Sequence, residues 1–348
     1  MAGRKQHHIP QVLLRGFAQD GGGKNQRVAV YHRERGIYEP ATLGVAAERD
    51  FYSSPTGGDE ETLDDKITAY ESRITSFLDK IRACDTKIVD ALEAAEAVTH
   101  LSIRPAYIRE VFSEMTARLF QQIEDSHDFT DTWKLLQLDR LTPGKEMMKT
   151  LEEQYAEYAD RTTLPKRKFI QTLYDGIKDH FQRNDVPSMR PLVELLIAHL
   201  NQGREKLIRD SHNRALNDSL APEPRVQTLK KLRWEVRKLA AGALVLPDCV
   251  AVAENENGRV SPLFMPGGGE TVTVWMPVSH DRLLVGRRYS PARIDVTKLN
   301  RALAGCSWEQ FVGQQRAEEL EQLIPRIGTI LREQMDATFS GKSKKGRR

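Results

Sequence analysis

Cysteine is scarce in this chain: Cys84, Cys249 and Cys306 are the only three in 348 residues, scattered and odd in number. That argues against a disulfide framework and against a zinc site built on paired cysteines. Long apolar runs are also missing. A membrane span needs roughly 20 consecutive apolar residues, whereas runs such as 240–246 have only the length of a strand. The opening residues 1–10 lack the apolar core of a secretory signal. A cytoplasmic protein with no membrane association is therefore expected. No internal repeat of fixed period occurs, so a solenoid is not supported. Two glycine-rich stretches, 21–24 and 267–270, lack the Lys-Ser/Thr that a phosphate loop carries, and the second precedes a strand. Both read as turns.

What is present is a chain able to fold. Apolar residues make up 39%, enough for a substantial core, and charged residues 29%, enough for a well-solvated surface. The net charge is +3, but the basic excess sits at the ends. Lys342, Lys344, Lys345, Arg347 and Arg348 crowd the last eight residues, with Arg4 and Lys5 at the start; without these seven charges the remainder carries −4. A basic tail over 339–348 is expected to be disordered and solubilising, with non-specific affinity for nucleic acid as the sharper alternative.

Hydrophobic period divides the rest. Residues 11–18 read as a short helix entered through Pro10, and 27–33 as a strand with a hairpin return at 36–38. From about Asp59 apolar residues recur at three- and four-residue steps: Leu63, Ile67, Tyr70, Ile74, Phe77, Leu78, Ile81. This predicts a long amphipathic helix. Further helices are predicted over 86–122 with a kink at Pro105, 143–159, 164–182 and 188–217. Beyond Ser219 short β-like runs return, at 233–239, 243–246, 250–253, 271–278 and 282–286, before closing helices at 296–303 and 316–335. Strands at both ends of a helical block imply that the N-terminal strands complete the C-terminal sheet, because a strand must pair its backbone groups. The predicted class is α+β: mainly helical, with a small, mostly antiparallel sheet and a long helical insertion. The segments are an N-terminal arm and strands (1–58), the insertion (59–218), C-terminal strands and closing helices (219–338) and the tail. A protein partner, if there is one, would find its surface on the insertion.

The most specific feature is Arg4-Lys5-Gln6-His7-His8-Ile9-Pro10, followed by Leu13, Leu14, Arg15 and Phe17. Two imidazoles beside two cations are costly to bury in charged form, so at least one should be neutral at pH 7. Placed before a helix they suit proton transfer, metal ligation or a phosphate contact. They equally suit local capping and hydrogen bonding.

This run resembles the opening signature of the DUF4238 family, a large bacterial family catalogued only as a domain of unknown function. The shared positions are His7, His8, Ile9, Pro10, Leu14, Arg15 and Phe17. Looser likenesses follow at Val30–Arg33, at the pair Phe51-Tyr52, at Glu71 in the first long helix, at Arg104-Pro105 with Arg109, and around Asp248 and Met276–Ser279. Around Asp248 the chain departs from the family pattern, with Leu-Pro for Thr-Ser and Cys249 for Asn. The resemblance implies candidate residues and no reaction. His7, His8, Glu71 and Asp248 become the catalytic candidates, His8 and Asp248 the candidate ligands of a divalent metal (Mg²⁺ or Mn²⁺), and Lys5, Arg15 and Arg104 the binding candidates. Meeting in one cleft, such groups could hold a metal and a phosphate, as in a metal-dependent phosphodiesterase or nuclease of defence or toxin type. They could equally form a buried polar network inside a non-catalytic binding or regulatory module. Elsewhere, His100 and Arg104 read as a helix-surface pair. His199 and His212 have no metal-protease partner at i+4, and Asp281 shapes a turn.

Overall fold

The computed structural model describes residues 5–19, 26–52, 62–125, 145–182, 186–239, 244–263, 265, 269–289 and 293–340. Residues 341–348 of the predicted basic tail, the loop at 53–59 and the glycines at 21–23 and 267–268 lie outside them, while 339–340, expected to begin that tail, belong to the last helix. The elements run β1 (Lys5–His7), α1 (Gln11–Arg15), β2 (Ala29–His32), β3 (Gly36–Tyr38), β4 (Ala47–Arg49), α2 (Leu63–Arg82), β5 (Thr86–Ile88), α3 (Ala91–Ile103) and α4 (Tyr107–Asp125). Then come α5 (Lys145–Tyr158), α6 (Lys166–Gln182), α7 (Val186–Asp218) and α8 (Glu223–Lys230). Six strands follow: β6 (Arg233–Lys238), β7 (Leu246–Pro247), β8 (Val252–Asn255), β9 (Val260–Pro262), β10 (Thr271–Ser279) and β11 (Arg282–Arg287). The chain closes with α9 (Val296–Cys306), β12 (Gln310–Gly313), α10 (Glu318–Glu321) and α11 (Thr329–Ser340).

The class is α+β, but the β part is larger than the small sheet expected. Antiparallel sheets of two, four and six strands are present among the described residues, ordered β1-β4, β3-β2-β12-β7 and β5-β6-β11-β10-β8-β9. The four-stranded sheet joins strands from both ends of the chain, with Tyr31 opposite Phe311 and Val30 opposite Val312. Every residue of β2 is buried, so this strand is covered on both faces and lacks the polar alternation of a surface strand.

Contacts divide the chain into two compact units, Met1–Ser113 with Glu205–Arg348, and Glu114–Arg204. In the second, α5 and α6 pack together: the rings of Tyr155 and Phe169 lie 5.4 Å apart near edge-to-face, and Leu151 and Ile170 are buried.

In the first unit, α2 starts on a capping box, in which the Thr62 hydroxyl accepts from the Asp65 amide and the Asp65 carboxylate accepts from that of Thr62. Its apolar stripe is buried at Ile67, Ile74, Phe77, Leu78 and Ile81. The predicted helix over 86–122 is three elements. Residues 86–88 form edge strand β5, paired with β6; Asp90 caps α3 through the amides of Leu92 and Glu93; and α3 stops at Ile103. Pro105 has no N–H and its ring crowds the preceding turn, so the helix is broken and not merely kinked. The closing helix predicted over 316–335 is likewise interrupted, by Pro325 in a 3₁₀ turn and by Gly328 at φ +77°. Its stripe nonetheless stays buried at Leu320, Leu323, Ile327 and Leu331. Several elements, β1, α8, β9 and β12 among them, have no counterpart among the predicted ones.

Candidate functional site

The break between α3 and α4 organises the polar centre of the first unit. A continuous helix would have bonded the Ala106 amide and the Ile103 carbonyl internally. Freed by Pro105, both are met by histidines. His8 Nδ1 accepts from the Ala106 N–H at 3.3 Å, and His212 Nε2 lies 2.7 Å from the Ile103 carbonyl. His212 Nδ1 in turn accepts from Arg109 Nε at 3.0 Å, so its proton is on Nε2 and is donated to Ile103. The same reasoning places a proton on Nδ1 of His100, which faces the Leu220 carbonyl at 2.9 Å while its Nε2 accepts from Arg104 at 3.2 Å. Both His100 and Arg104 are buried, not the surface pair predicted.

The arm is laid down beside this break. Strand β1 pairs with β4, Gln6 opposite Glu48 and His7 opposite Ala47, and the His8 amide continues onto the Ala46 carbonyl. Gln6 accepts the Tyr52 amide on its side-chain oxygen at 2.6 Å. Arg104, 1% exposed, reaches four groups at once. It donates to the His7 carbonyl at 2.8 Å, Tyr52 Oη at 3.2 Å, Glu71 Oε1 at 2.5 Å and His100 Nε2 at 3.2 Å. Arg109 is the second guanidinium. It donates to the Phe51 carbonyl at 3.0 Å and Asn213 Oδ1 at 2.7 Å, and stacks 3.5 Å from the centroid of the Phe51 ring. Phe51, Tyr52, Ile67, Ile103 and Leu216 form the apolar shell around these contacts.

A third guanidinium fastens the short helix. Arg82 donates to the Val278 carbonyl from Nε at 2.8 Å and to the Leu13 carbonyl at 3.2 Å, tying α2 to α1 and β10. Gly16 lies against that junction, with the His280 amide bonded to its carbonyl.

Charge follows burial. Desolvation pushes His8 down to about 3, with Arg104, His7 and Arg109 adding to the shift. His212 falls to about 4 and His100 well below its ordinary value, both mainly through burial. His7, half-buried, is lowered less, again by desolvation, which the Val45 backbone opposes. Burial also lowers Arg109 to about 10. Burial works against the charge of Arg104 too, but Tyr52 and Glu71 outweigh it and its pKa is raised. At neutral pH the centre therefore holds two cations and four uncharged imidazoles. His8 turns its Nε2 toward Glu48, 3.7 Å away on the exposed rim, where burial raises the carboxyl pKa.

Of the residues singled out from sequence, His7, His8, Glu71 and Arg104 meet here, His7 through its carbonyl. Lys5 is exposed at the start of β1 opposite Arg49; Arg15 is exposed and donates to Gln11 Oε1 at 3.0 Å. Asp248 has another task. Its carboxylate accepts the amides of Trp308 at 2.8 Å, Glu309 at 2.8 Å and Gln310 at 3.1 Å, closing the turn from α9 into β12. It makes no hydrogen bond or ion pair with the four residues around the arm. Among the described residues no three His, Cys, Asp or Glu side chains are placed to hold a metal ion, and no helix is long and apolar enough to cross a membrane. Arg82, Arg109 and His212 were not among the candidates. A lone cation on a helix has no signal of its own in a sequence, and the partners of these three lie in other elements.

Comparison with known families matches the chain, over residues 5–318, to the one described as "Protein of unknown function (DUF4238)". The chain belongs to that family. The match covers the arm, the helix break and all the described β strands of this DUF4238 protein, so the polar centre lies wholly within the family's domain. Neither the curated proteins nor the solved structures contain a match.

Proposed function

We propose that the His-His-x-Pro arm of this DUF4238 protein is an architectural lock, and that the protein works as a non-catalytic binding or regulatory module. The observation that carries this reading is Arg104, which is almost fully buried and spends its donors on His7, Tyr52, Glu71 and His100. A guanidinium committed in this way has no edge to offer a phosphate, and moving it would strand four polar partners in an apolar shell. The three deeply buried histidines each satisfy backbone groups or an arginine and are held neutral, as a structural role requires.

A metal-dependent phosphodiesterase or nuclease is the second reading. It is favoured by one observation: His7 is neutral, its Nδ1 is buried without a hydrogen bond of proper geometry, and only the 3.3 Å bond from Gln11 Nε2 occupies its Nε2. Release of that one bond would free the ring nitrogen that can accept a proton or a metal. Mg²⁺ or Mn²⁺ would have to recruit carboxylates beyond those now beside the arm.

Thermal melts combined with a Mg²⁺/Mn²⁺ cleavage assay on DNA and RNA separate the two. The lock predicts that Arg104→Ala loses about 3–5 kcal/mol and His8→Ala about 1–3 kcal/mol, with no cleavage by the wild type. A wild type that cleaves, and a His8→Ala variant that melts normally but does not, would overturn it.

A further inference from the structure

A cavity of about 500 Å³ lies on the six-stranded sheet, away from the arm. That volume is typical of sites for small organic ligands. The register of the sheet builds its floor. Val260 pairs with Glu254, Glu254 with Thr273 and Thr273 with Arg287, one row crossing β9, β8, β10 and β11. Trp275, two residues further along β10, projects from the same face and is half-buried. The opposite wall is one face of α9, with Lys298, Leu299 and Ala302 at helical spacing after the cap residue Asp295. Tyr289 and Arg293, both exposed, complete the mouth.

The chemistry of this lining is specific. Trp275 and Tyr289 offer flat apolar faces. Cations stand at both depths, Arg287 buried within and Arg293 and Lys298 at the rim. Of the two carboxylates, Asp295 is spent on capping α9, accepting the Lys298 amide at 3.0 Å. Among the described residues Arg293 and Lys298 have no carboxylate partner. An aromatic wall, with three cations against two carboxylates in the lining and the two rim cations outside any ion pair, complements a planar ring that carries a charged phosphate.

We propose that this cavity binds a nucleoside phosphate, the base stacked on Trp275 and the phosphate held between Arg293 and Lys298. The site shares no residue with the arm network and does not depend on that network's role.

The test is calorimetric titration of the full chain with AMP, ADP, adenosine and inorganic phosphate, alongside tryptophan fluorescence. AMP or ADP should bind saturably, and removal of the phosphate or reversal of charge in Arg293→Glu or Lys298→Glu should weaken binding about tenfold. The fluorescence change on binding should vanish in Trp275→Phe. Both cations are exposed, so their variants should melt as the wild type does; if one does not, Ala302→Phe, which fills the cavity from the helix side, takes its place. The proposal is overturned by the absence of saturable nucleotide binding up to about 1 mM, or by binding that survives these variants. Adenosine or inorganic phosphate binding as tightly as AMP would also overturn it, since one half of the ligand would then be unread.

Discussion

At the scale of single residues, burial decides which side chains carry the structure. Gly16 is required by a close approach: a Cβ there would lie 2.4 Å from the Val278 carbonyl and 2.6 Å from the Arg82 guanidinium. The neighbouring carbonyl is backbone and cannot give way. Gly16→Ala should therefore lower stability by about 3 kcal/mol, while Gly44→Ala, whose nearest neighbour is 3.8 Å away, should be nearly neutral. Urea melts of the two variants check this, and equal effects would show that the junction of α1, α2 and β10 is looser than it looks. The residues that a sequence can mark are those with a local pattern. His7 and His8 stand out as neighbours, so the motif alone marked them as candidates, though not their burial. Arg82 was not marked and Arg109 only by its likeness to the family's Arg-Pro helix, because the carbonyls and rings that make them matter are tens or hundreds of residues away.

At the scale of elements, periodicity locates helices well and interruptions poorly. The stripe of α2 is unambiguous over five turns. Pro105 was visible, but whether it kinks or breaks the helix depends on whether outside groups can satisfy the Ala106 amide and Ile103 carbonyl, and here His8 and His212 do. The stretch 86–88 fits a helical period and is a strand because β6 offers it an edge; tertiary pairing overrides a three-residue propensity. Strand β12 went unseen for a related reason: it is short, and it is anchored by a carboxylate 60 residues earlier. Asp248→Ala removes the acceptor of three amides and should cost about 2–4 kcal/mol. Hydrogen exchange should show the amides of Trp308, Glu309 and Gln310 losing protection first, whereas protection unchanged at these positions would rule out the anchor.

At the scale of the whole molecule, the neutral histidines couple stability to pH. Where the folded state holds a pKa below its unfolded value of about 6.5, the unfolded chain binds protons that the native one refuses. Stability is then complete above pH 6.5 and falls as the pH drops. His8 at about 3 and His212 at about 4 carry this down through the whole window, with His100 moving in the same direction. Asp248, raised to about 6 by burial against its backbone bonds, acts with the opposite sign between about 4 and 6 and offsets part of the loss. Each lowered histidine contributes up to about 1.4 kcal/mol per pH unit. The melting temperature should therefore fall clearly from pH 7.5 to pH 5. In His8→Asn, whose side-chain oxygen can still accept the Ala106 amide, the slope should be shallower; an identical slope would mean that His8 is not the neutral, buried group described.

Taken alone, the chain's residues determined its class, the helical block between β regions, the family signature and the unusual arm, because these depend on local period, turn chemistry and adjacent residues. The tertiary structure alone decided which candidates share a centre. It placed Arg104 and Glu71 under the arm, gave Asp248 to the turn before β12, and matched the groups freed at Pro105 to histidines from an arm and a distant helix. The physical reason is that a buried donor or acceptor must find its partner wherever the fold brings one. That obligation leaves no trace in the spacing of residues along the chain.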